Sequence, residues 1–176
     1  MYASDDRAGQ IRAAEAAATR ALMLAPDNAN AHVTYGTVLY AMCAPEHALR
    51  EFKLAIGLDG NLAIAHAYLG LMKFFLGRAG ETRAHVEEAM RLSPRDPLLF
   101  RWHFFIGLAD IYLGRVVRGI ESMRKSVEIN PNWDSRSSSW PARWRLPGCS
   151  RRPPRSVAPP SVWCPILPSP NTAPMQ

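Results

Sequence analysis

The chain has 176 residues, of which 48% are hydrophobic, and a formal net charge of +6. This length suffices for one domain with a sizeable core, and no apolar stretch approaches the roughly 20 residues that span a bilayer. The three cysteines form no CxxC pair and lie near no histidine cluster, which argues against a disulfide framework or a zinc site. The first ten residues lack a signal-peptide pattern, so we expect a cytoplasmic protein.

Two regions of different composition meet at residue 133. Residues 1–133 are rich in Ala, Leu, Glu and Arg, with apolar residues at three- and four-residue spacings, which predicts helices throughout. Residues 134–176 hold ten of the fifteen prolines, which predicts a non-globular, disordered tail. This tail has six arginines and one aspartate, so it carries +5 of the net charge and residues 1–133 carry +1.

The helices follow one another with short breaks marked by proline, glycine or small residues. Pro45 and Pro97 suit the first turn of a helix, where a missing N–H costs nothing. Cys43 falls at a break and is predicted to lie in a turn between two helices. The sequence has three extra residues before His103, and we expect them to form an added helical turn around Pro97–Arg101. The predicted helices are 10–24, 29–42, 45–58, 62–76, 79–92, 98–113 and 116–129.

A repeated pattern runs through these helices. A histidine is followed four residues later by a glycine three times, at offsets of 34 and then 37 residues. Glycine inside a helix costs about 1 kcal/mol relative to alanine, so its recurrence predicts close approach of a neighbouring helix. A small-residue row and, four residues later, a bulky row recur on the second helix of each unit and predict interlocking. The three sets are His32–Gly36, His66–Gly70 and His103–Gly107; Ala48, Thr82 and Gly119; and Phe52, Val86 and Met123.

The segments "ATRALMLAPDN", "EFKLAIGLDGN", "HVEEAMRLSPRD" and "SMRKSVEINPNW" repeat one phrase four times. This pattern resembles the tetratricopeptide repeat, a 34-residue helix-turn-helix unit. The resemblance implies an all-α, right-handed helix-turn-helix solenoid of about three and a half units. Gly60 and Thr82 depart from it, standing where proline and alanine are usual. The array would comprise a half repeat at 10–28 and full repeats at 29–62, 63–96 and 97–133. It would lack the first helix of its first repeat and a polar terminal cap.

No motif for catalysis or metal binding occurs. GxSxG, GxxxxGK[ST], HExxH and GxGxxG are all absent from the sequence, which favours a protein that is not an enzyme and has no cofactor. His32, His66 and His103 occupy one position in successive helices, which lie about 8–10 Å apart, too far to share one metal ion. We interpret them as packing residues that replace the tryptophan usual in the family, and expect His47 and His85 to be solvated.

The resemblance also implies that the first helix of each repeat lines a concave groove that binds peptides. This groove is apolar and aromatic, which favours an amphipathic helix or a hydrophobic segment of a partner protein. Few of its residues suit a clamp for a peptide's terminal carboxylate. An alternative stays open, in which the same aromatic side chains form the core of the array or cover a missing neighbour. The groove residues are Asn30, Val33, Thr37, Tyr40, Ala67, Tyr68, Leu71, Phe74, Phe75, Arg101, Phe104, Phe105, Leu108 and Tyr112.

Two further hypotheses concern the parent protein and the ends of the array. The phrase "LSPRDPLLFRWHFFIGLADIYLGR" is similar to repeats in the C-terminal halves of certain bacterial class III adenylate/guanylate cyclases and related signalling regulators. That likeness implies a regulatory fragment without the catalytic domain. The open ends of a short array favour self-association.

The tail supports two interpretations of its own. Its arginines and tryptophans would suit nucleic acid or an anionic surface, although composition alone makes a nucleic-acid partner the less favoured alternative. In that case deletion of residues 134–176 should abolish binding and its steep salt dependence. The abrupt change after residue 133 is also typical of an out-of-frame reading of a GC-rich gene, which resequencing of the DNA would detect.

Overall fold

The computed structural model describes residues 3–132, with side chains from residue 9 onward, and the predicted tail 134–176 lies outside the described residues. The described part of the chain consists of helices joined by short turns and contains no strand. The helices are α1 (Ala3–Leu24), α2 (Ala29–Ala41), α3 (Pro45–Leu58), α4 (Ala63–Phe75), α5 (Ala79–Leu92), α6 (Leu99–Tyr112) and α7 (Val116–Ile129).

The helix boundaries follow the breaks marked by proline, glycine or small residues in the sequence, with α1 as the exception. For α2 to α7, each end lies within one residue of its predicted position. α1 begins at Ala3, seven residues before the predicted start at Gln10. The repeat register predicts only the part of a helix that packs in every unit, and it carries no information about an extension beyond that unit.

The helices pair into hairpins, and the hairpins stack in sequence. The most extensive contacts join α2 to α3, α4 to α5 and α6 to α7. Each hairpin then contacts the next through α3 with α4 and α5 with α6, and α1 packs on α2. This all-helical stack of repeated hairpins is the predicted solenoid, and it confirms the predicted fold class.

Glycines allow the two helices of each hairpin to approach closely. A Cβ added at Gly36 would lie 2.8 Å from the Phe52 ring, and one at Gly107 would lie 2.7 Å from the Met123 side chain. At Gly70 it would lie 2.9 Å from both the backbone oxygen of Thr82 and the side chain of Val86. The bulky row therefore packs on the glycine row, as the sequence predicts, and no side chain fits between them.

The turns within the hairpins place one residue each in the left-handed region. Gly77 and Gly114 have φ of 77°, and Cys43, at the same repeat position, has φ of 62°. Left-handed backbone costs an L-residue roughly 1–2 kcal/mol, which glycine avoids. Cys43 lies in a turn as predicted, with its side chain buried, and it adopts a conformation that its two counterparts reach without strain.

Two of the repeated histidines bind the preceding loop. The Nε2 atom of His32 lies 2.8 Å from the carbonyl oxygen of Pro26, and that of His66 lies 3.1 Å from the carbonyl oxygen of Gly60, six residues back in both cases. The Nδ1 atom of His32 also contacts Glu51 at 2.8 Å. These histidines thus do more than pack, because they tie each first helix to the loop that precedes it.

The three-residue extension before His103 is mainly a turn, which corrects the predicted extra helical turn. Pro97 and Leu98 precede α6, and the Asp96 carboxylate accepts a hydrogen bond of 2.8 Å from the N–H of Leu98. A residue before proline is disfavoured in helical conformation, and aspartate readily closes such a turn with its side chain. Helix α6 therefore begins only at Leu99.

Candidate peptide-binding groove

The inner face of the array is formed by α2, α4 and α6. Successive first helices contact one another, α2 with α4 and α4 with α6, whereas α3, α5 and α7 make no comparable contacts among themselves within the described residues. The stack therefore curves toward its first helices. Side chains on the inner side of α2, α4 and α6, which we call the inner face, converge on one another.

Aromatic rings run across the inner face without interruption. Tyr40 of α2 stacks on Phe75 of α4 with ring centroids 5.7 Å apart. Phe75 adjoins Phe74 at 5.3 Å, and Phe74 meets Tyr112 of α6 edge-to-face at 5.6 Å. Stacked and edge-to-face pairs contribute about 0.5–1.5 kcal/mol each beyond their burial. This row couples all three repeats to one another.

A second branch of rings lies deeper and centres on Tyr68. Its ring contacts Tyr40 at 6.2 Å, Phe105 at 5.9 Å and Phe52 of α3 at 5.4 Å. Tyr68 is almost fully buried, and burial raises the pKa of its hydroxyl, opposed by the nearby Arg101 guanidinium. This branch is core, and it supports the inner face from beneath.

The fourteen predicted groove residues divide by exposure. Asn30 is exposed, and Thr37, Phe74, Arg101 and Tyr112 are partly exposed. The remaining nine are buried, Ala67 and Leu71 completely, so a ligand on this face would touch the first set and rest on the second. The buried nine are Val33, Tyr40, Ala67, Tyr68, Leu71, Phe75, Phe104, Phe105 and Leu108.

Arg101 is the charged group of the inner face. Its guanidinium carbon lies 5.6 Å from the centroid of the Tyr68 ring. Arg101 and Arg83 are the two arginines between residues 9 and 132 whose side chains are not exposed. Arg83 pairs with Asp110, whereas no carboxylate of the described residues forms an ion pair with Arg101. Arg101 also lies in the first turn of α6, where the helix dipole disfavours a cation.

The other charges beneath the inner face are neutralised. Lys73 and Asp110 occupy the same position in α4 and α6, and both are buried. The Lys73 ammonium lies 2.9 Å from the carboxylate of Glu81. Asp110 is 1% exposed and is held by Arg83, with Arg115 at 3.7 Å from its other oxygen. These pairs tie α4 and α6 to α5, whereas Arg101 has no paired carboxylate among the described residues.

The histidines of the second helices differ in environment. His47 is exposed as predicted, but His85 is only partly exposed, which corrects the prediction that it is solvated. His85 lies where α5 closes on Gly70, and a Cβ on that glycine would lie 3.2 Å from the His85 Cβ. Desolvation by burial lowers the pKa of His85, with a further contribution from Lys73.

Ile64 completes the exposed part of the inner face and was missed by sequence analysis. It is partly exposed and occupies in α4 the position that Asn30 has in α2 and Arg101 in α6. The repeat register would have identified it, because the three residues are related by the same offsets of 34 and 37. The inner face thus presents, at one equivalent position, an amide, an aliphatic chain and a cation.

Neither a metal centre nor a membrane span is found in the described residues. Between residues 3 and 132, no three side chains of His, Cys, Asp or Glu are placed to hold a metal ion. None of the helices in that range has the length and apolarity needed to cross a bilayer.

Comparison with known proteins identifies the fold. No protein-family model matches the chain. PilF of Pseudomonas aeruginosa has a similar structure with a TM-score of 0.63 and 23% identity, covering 72% of this chain and 57% of PilF. MamA aligns with a TM-score of 0.59 and 21% identity over 72% of both chains. YrrB, a tetratricopeptide repeat protein with an unusual peptide-binding site, aligns with a TM-score of 0.58 and 20% identity over 70% of this chain and 62% of YrrB.

These likenesses confirm the tetratricopeptide repeat fold predicted from the sequence. A curated sequence relative, the transcription antitermination protein NusB of Rubrobacter xylanophilus, is 37% identical over 59 residues. That match covers 34% of this chain and 40% of the NusB chain. The hypothesis that the chain derives from the regulatory part of a cyclase-like signalling protein stays a prediction.

Proposed function

We propose that the protein is an interaction scaffold whose inner face binds an amphipathic helix of a partner protein, with a carboxylate of that helix on Arg101. The observation that carries this proposal is a guanidinium with no paired carboxylate among the described residues, on the same inner face as two partly exposed aromatic rings, Phe74 and Tyr112. Similar folds support the general role, since YrrB has a peptide-binding site.

The aromatic part of the site would supply affinity. Phe74 and Tyr112 touch each other and keep part of their surface open. Aromatic side chains held by neighbours lose little entropy on binding, and such anchors typically cost about 2 kcal/mol or more when truncated. Ile64 and Thr37 add partly exposed, uncharged surface on α4 and α2. An apolar helix face is therefore the complementary ligand.

Arg101 would supply register and selectivity. A partly buried cation at a helix N-terminus without an acidic partner is electrostatically unfavourable, by roughly 0.3–1 kcal/mol from the helix dipole alone. A ligand carboxylate would relieve this cost and pair bidentately with the guanidinium. A helix with an apolar face but no acidic residue should therefore bind less tightly, and a basic one should be rejected.

The test is a fluorescence-anisotropy titration with labelled helical peptides that share one apolar face. One set carries a single glutamate beside that face, and a matched set carries glutamine there. We expect tighter binding of the glutamate set, and loss of that preference in Arg101→Gln. Phe74→Ala should weaken both sets together.

The matched control is Arg50→Gln, which removes an exposed arginine from α3 on the opposite side of the array. It should leave all affinities unchanged. Equal affinity of the two peptide sets would refute the role of Arg101. Unaltered binding in Phe74→Ala would move the binding site away from the inner face altogether.

A further inference from the structure

Exposed apolar side chains concentrate at the end of the described array. Of the ten large hydrophobic residues that are exposed in the described part of the chain, six lie on α7 or in the turn before it. Contiguous exposed apolar surface of this kind marks interaction sites. The six are Leu113, Val116, Val117, Ile120, Val127 and Ile129, with exposures from 39% to 72%.

The repeat register shows what normally covers this surface. Ile120 and Val127 occupy in α7 the positions that Leu49 and Ile56 occupy in α3. Leu49 and Ile56 are partly buried and pack against the core where α4 covers α3. In α7 the same positions are 50% and 53% exposed. We call the side presented by Ile120 and Val127 the open face of α7, and it continues an interface that the array uses twice before.

The sequence of residues 134–176 does not predict a helix that could cover this face. Helices α4 and α6 have 13 and 14 residues. In residues 134–176 the longest run without proline is seven residues, 134–140. Proline inside a helix removes a hydrogen bond and costs about 3 kcal/mol or more. The spacing of these prolines therefore predicts no covering helix of the length used elsewhere in the array within residues 134–176.

We propose that the open face of α7 pairs with the same face of a second copy of this chain in a twofold-symmetric dimer. A symmetric interface needs only one self-complementary patch. The exposed side of α7 carries both Arg124 and the acidic Glu121 and Glu128, so its charges can be matched across a twofold axis.

The opposite end of the array is a poorer match for this face. Met23 and Leu24 of α1 are exposed, but they adjoin Arg12, Glu15 and Arg20 on the same helix. Pairing α7 with this surface would desolvate these three ionic groups, whereas symmetric pairing brings together the apolar side chains of two α7 helices. Symmetric pairing through α7 is thus favoured over head-to-tail growth, and this inference does not depend on the function proposed for the inner face.

The interface would be small. Helix α7 has 14 residues and is about 21 Å long, whereas stable interfaces bury about 800 Å² per partner. We therefore expect a dimer that forms as concentration rises. Sedimentation velocity on the full chain over a concentration series should show a shift from monomer to dimer, with no larger species.

Single substitutions on α7 test whether its open face forms the dimer interface. Ile120→Asp and Val127→Asp each add a charge at a half-exposed position, so they should fold with unchanged helicity and stay monomeric at every concentration. Leu24→Asp at the other end, whose side chain is 78% exposed, is the matched control and should dimerise like the parent chain. A parent chain that stays monomeric throughout would overturn the proposal. Dimers that survive in both α7 variants, or that Leu24→Asp abolishes, would overturn it as well.

Discussion

Replacing Gly70 by alanine tests whether close helix approach holds the repeats together. Alanine is favoured over glycine in a helix by about 1 kcal/mol, so propensity alone predicts stabilisation. The added Cβ would lie 2.9 Å from the Thr82 backbone oxygen and 2.9 Å from the Val86 side chain, closer than carbon atoms tolerate. The Thr82 hydroxyl also donates a 2.9 Å hydrogen bond to the Gly70 carbonyl, so the two helices cannot separate freely.

Overpacking a rigid contact of this kind costs about 1–3 kcal/mol. Because the Thr82 contact involves backbone, we take the upper half of that range and expect net destabilisation of about 1–2 kcal/mol. For the roughly 130 described residues this corresponds to a melting temperature lower by roughly 3–10 °C. Thermal and urea unfolding, followed by circular dichroism at 222 nm, would measure it.

The matched control is Gly57→Ala in α3, where an added Cβ meets nothing within 4 Å. This variant should be as stable as the parent chain or more so, by up to about 1 kcal/mol. A Gly70→Ala variant that matches or exceeds the stability of the parent chain would refute the packing argument. So would an equal loss of stability in both variants, because only one of them is crowded.

Three other perturbations test the turns, the buried charges and the histidines. Cys43→Gly should raise stability by about 0.5–1 kcal/mol in urea unfolding, because it removes the left-handed strain at φ 62°. This gain is larger than the loss from the buried side chain and from the greater flexibility of glycine in the unfolded chain. Asp110→Asn should lower stability by about 2–3 kcal/mol in the same assay, because it removes the buried carboxylate that pairs with Arg83 and leaves that arginine only its more exposed partner Glu87. Burial lowers the pKa of His85 and His103 below 6.5, so the unfolded chain binds more protons and stability should fall as pH drops from 6.5 toward 5.5. Replacing both histidines with glutamine should flatten that slope, and a slope that persists would exclude them.

The helices could be predicted well from the sequence because the residues that end them recur at the same position of each repeat. Pro26, Gly60, Pro94 and Pro131 occur at matching points in the repeats, so each boundary is supported by its counterparts. The exception near Pro97 arises where three residues are inserted and that support is lost. Backbone rules for the residue before proline decide the outcome there, and they produce a turn rather than added helix.

The binding face was less predictable than the fold. In a stacked array, a first helix packs against its own partner and against the preceding hairpin, so it is buried on more than one side. Leu71 and Ala67 lie on the inner side by sequence register, yet they are fully buried. Phe74 and Tyr112 lie on the same inner side, yet they remain partly exposed. Which aromatic ring shields which depends on neighbour geometry, and a single sequence does not encode that in its periodicity.

Because each hairpin touches only its immediate neighbours in sequence, cohesion should vary along the chain. Helix α4 has both neighbouring hairpins against it and is the helix with the most buried residues in the described part of the chain. Within the described residues, α1 packs mainly on α2 and α7 packs mainly on α6. Amide hydrogens should therefore exchange slowest in α4 and progressively faster toward both ends. Under a pulling force, the hairpins at the two ends would unfold first and the central hairpin last.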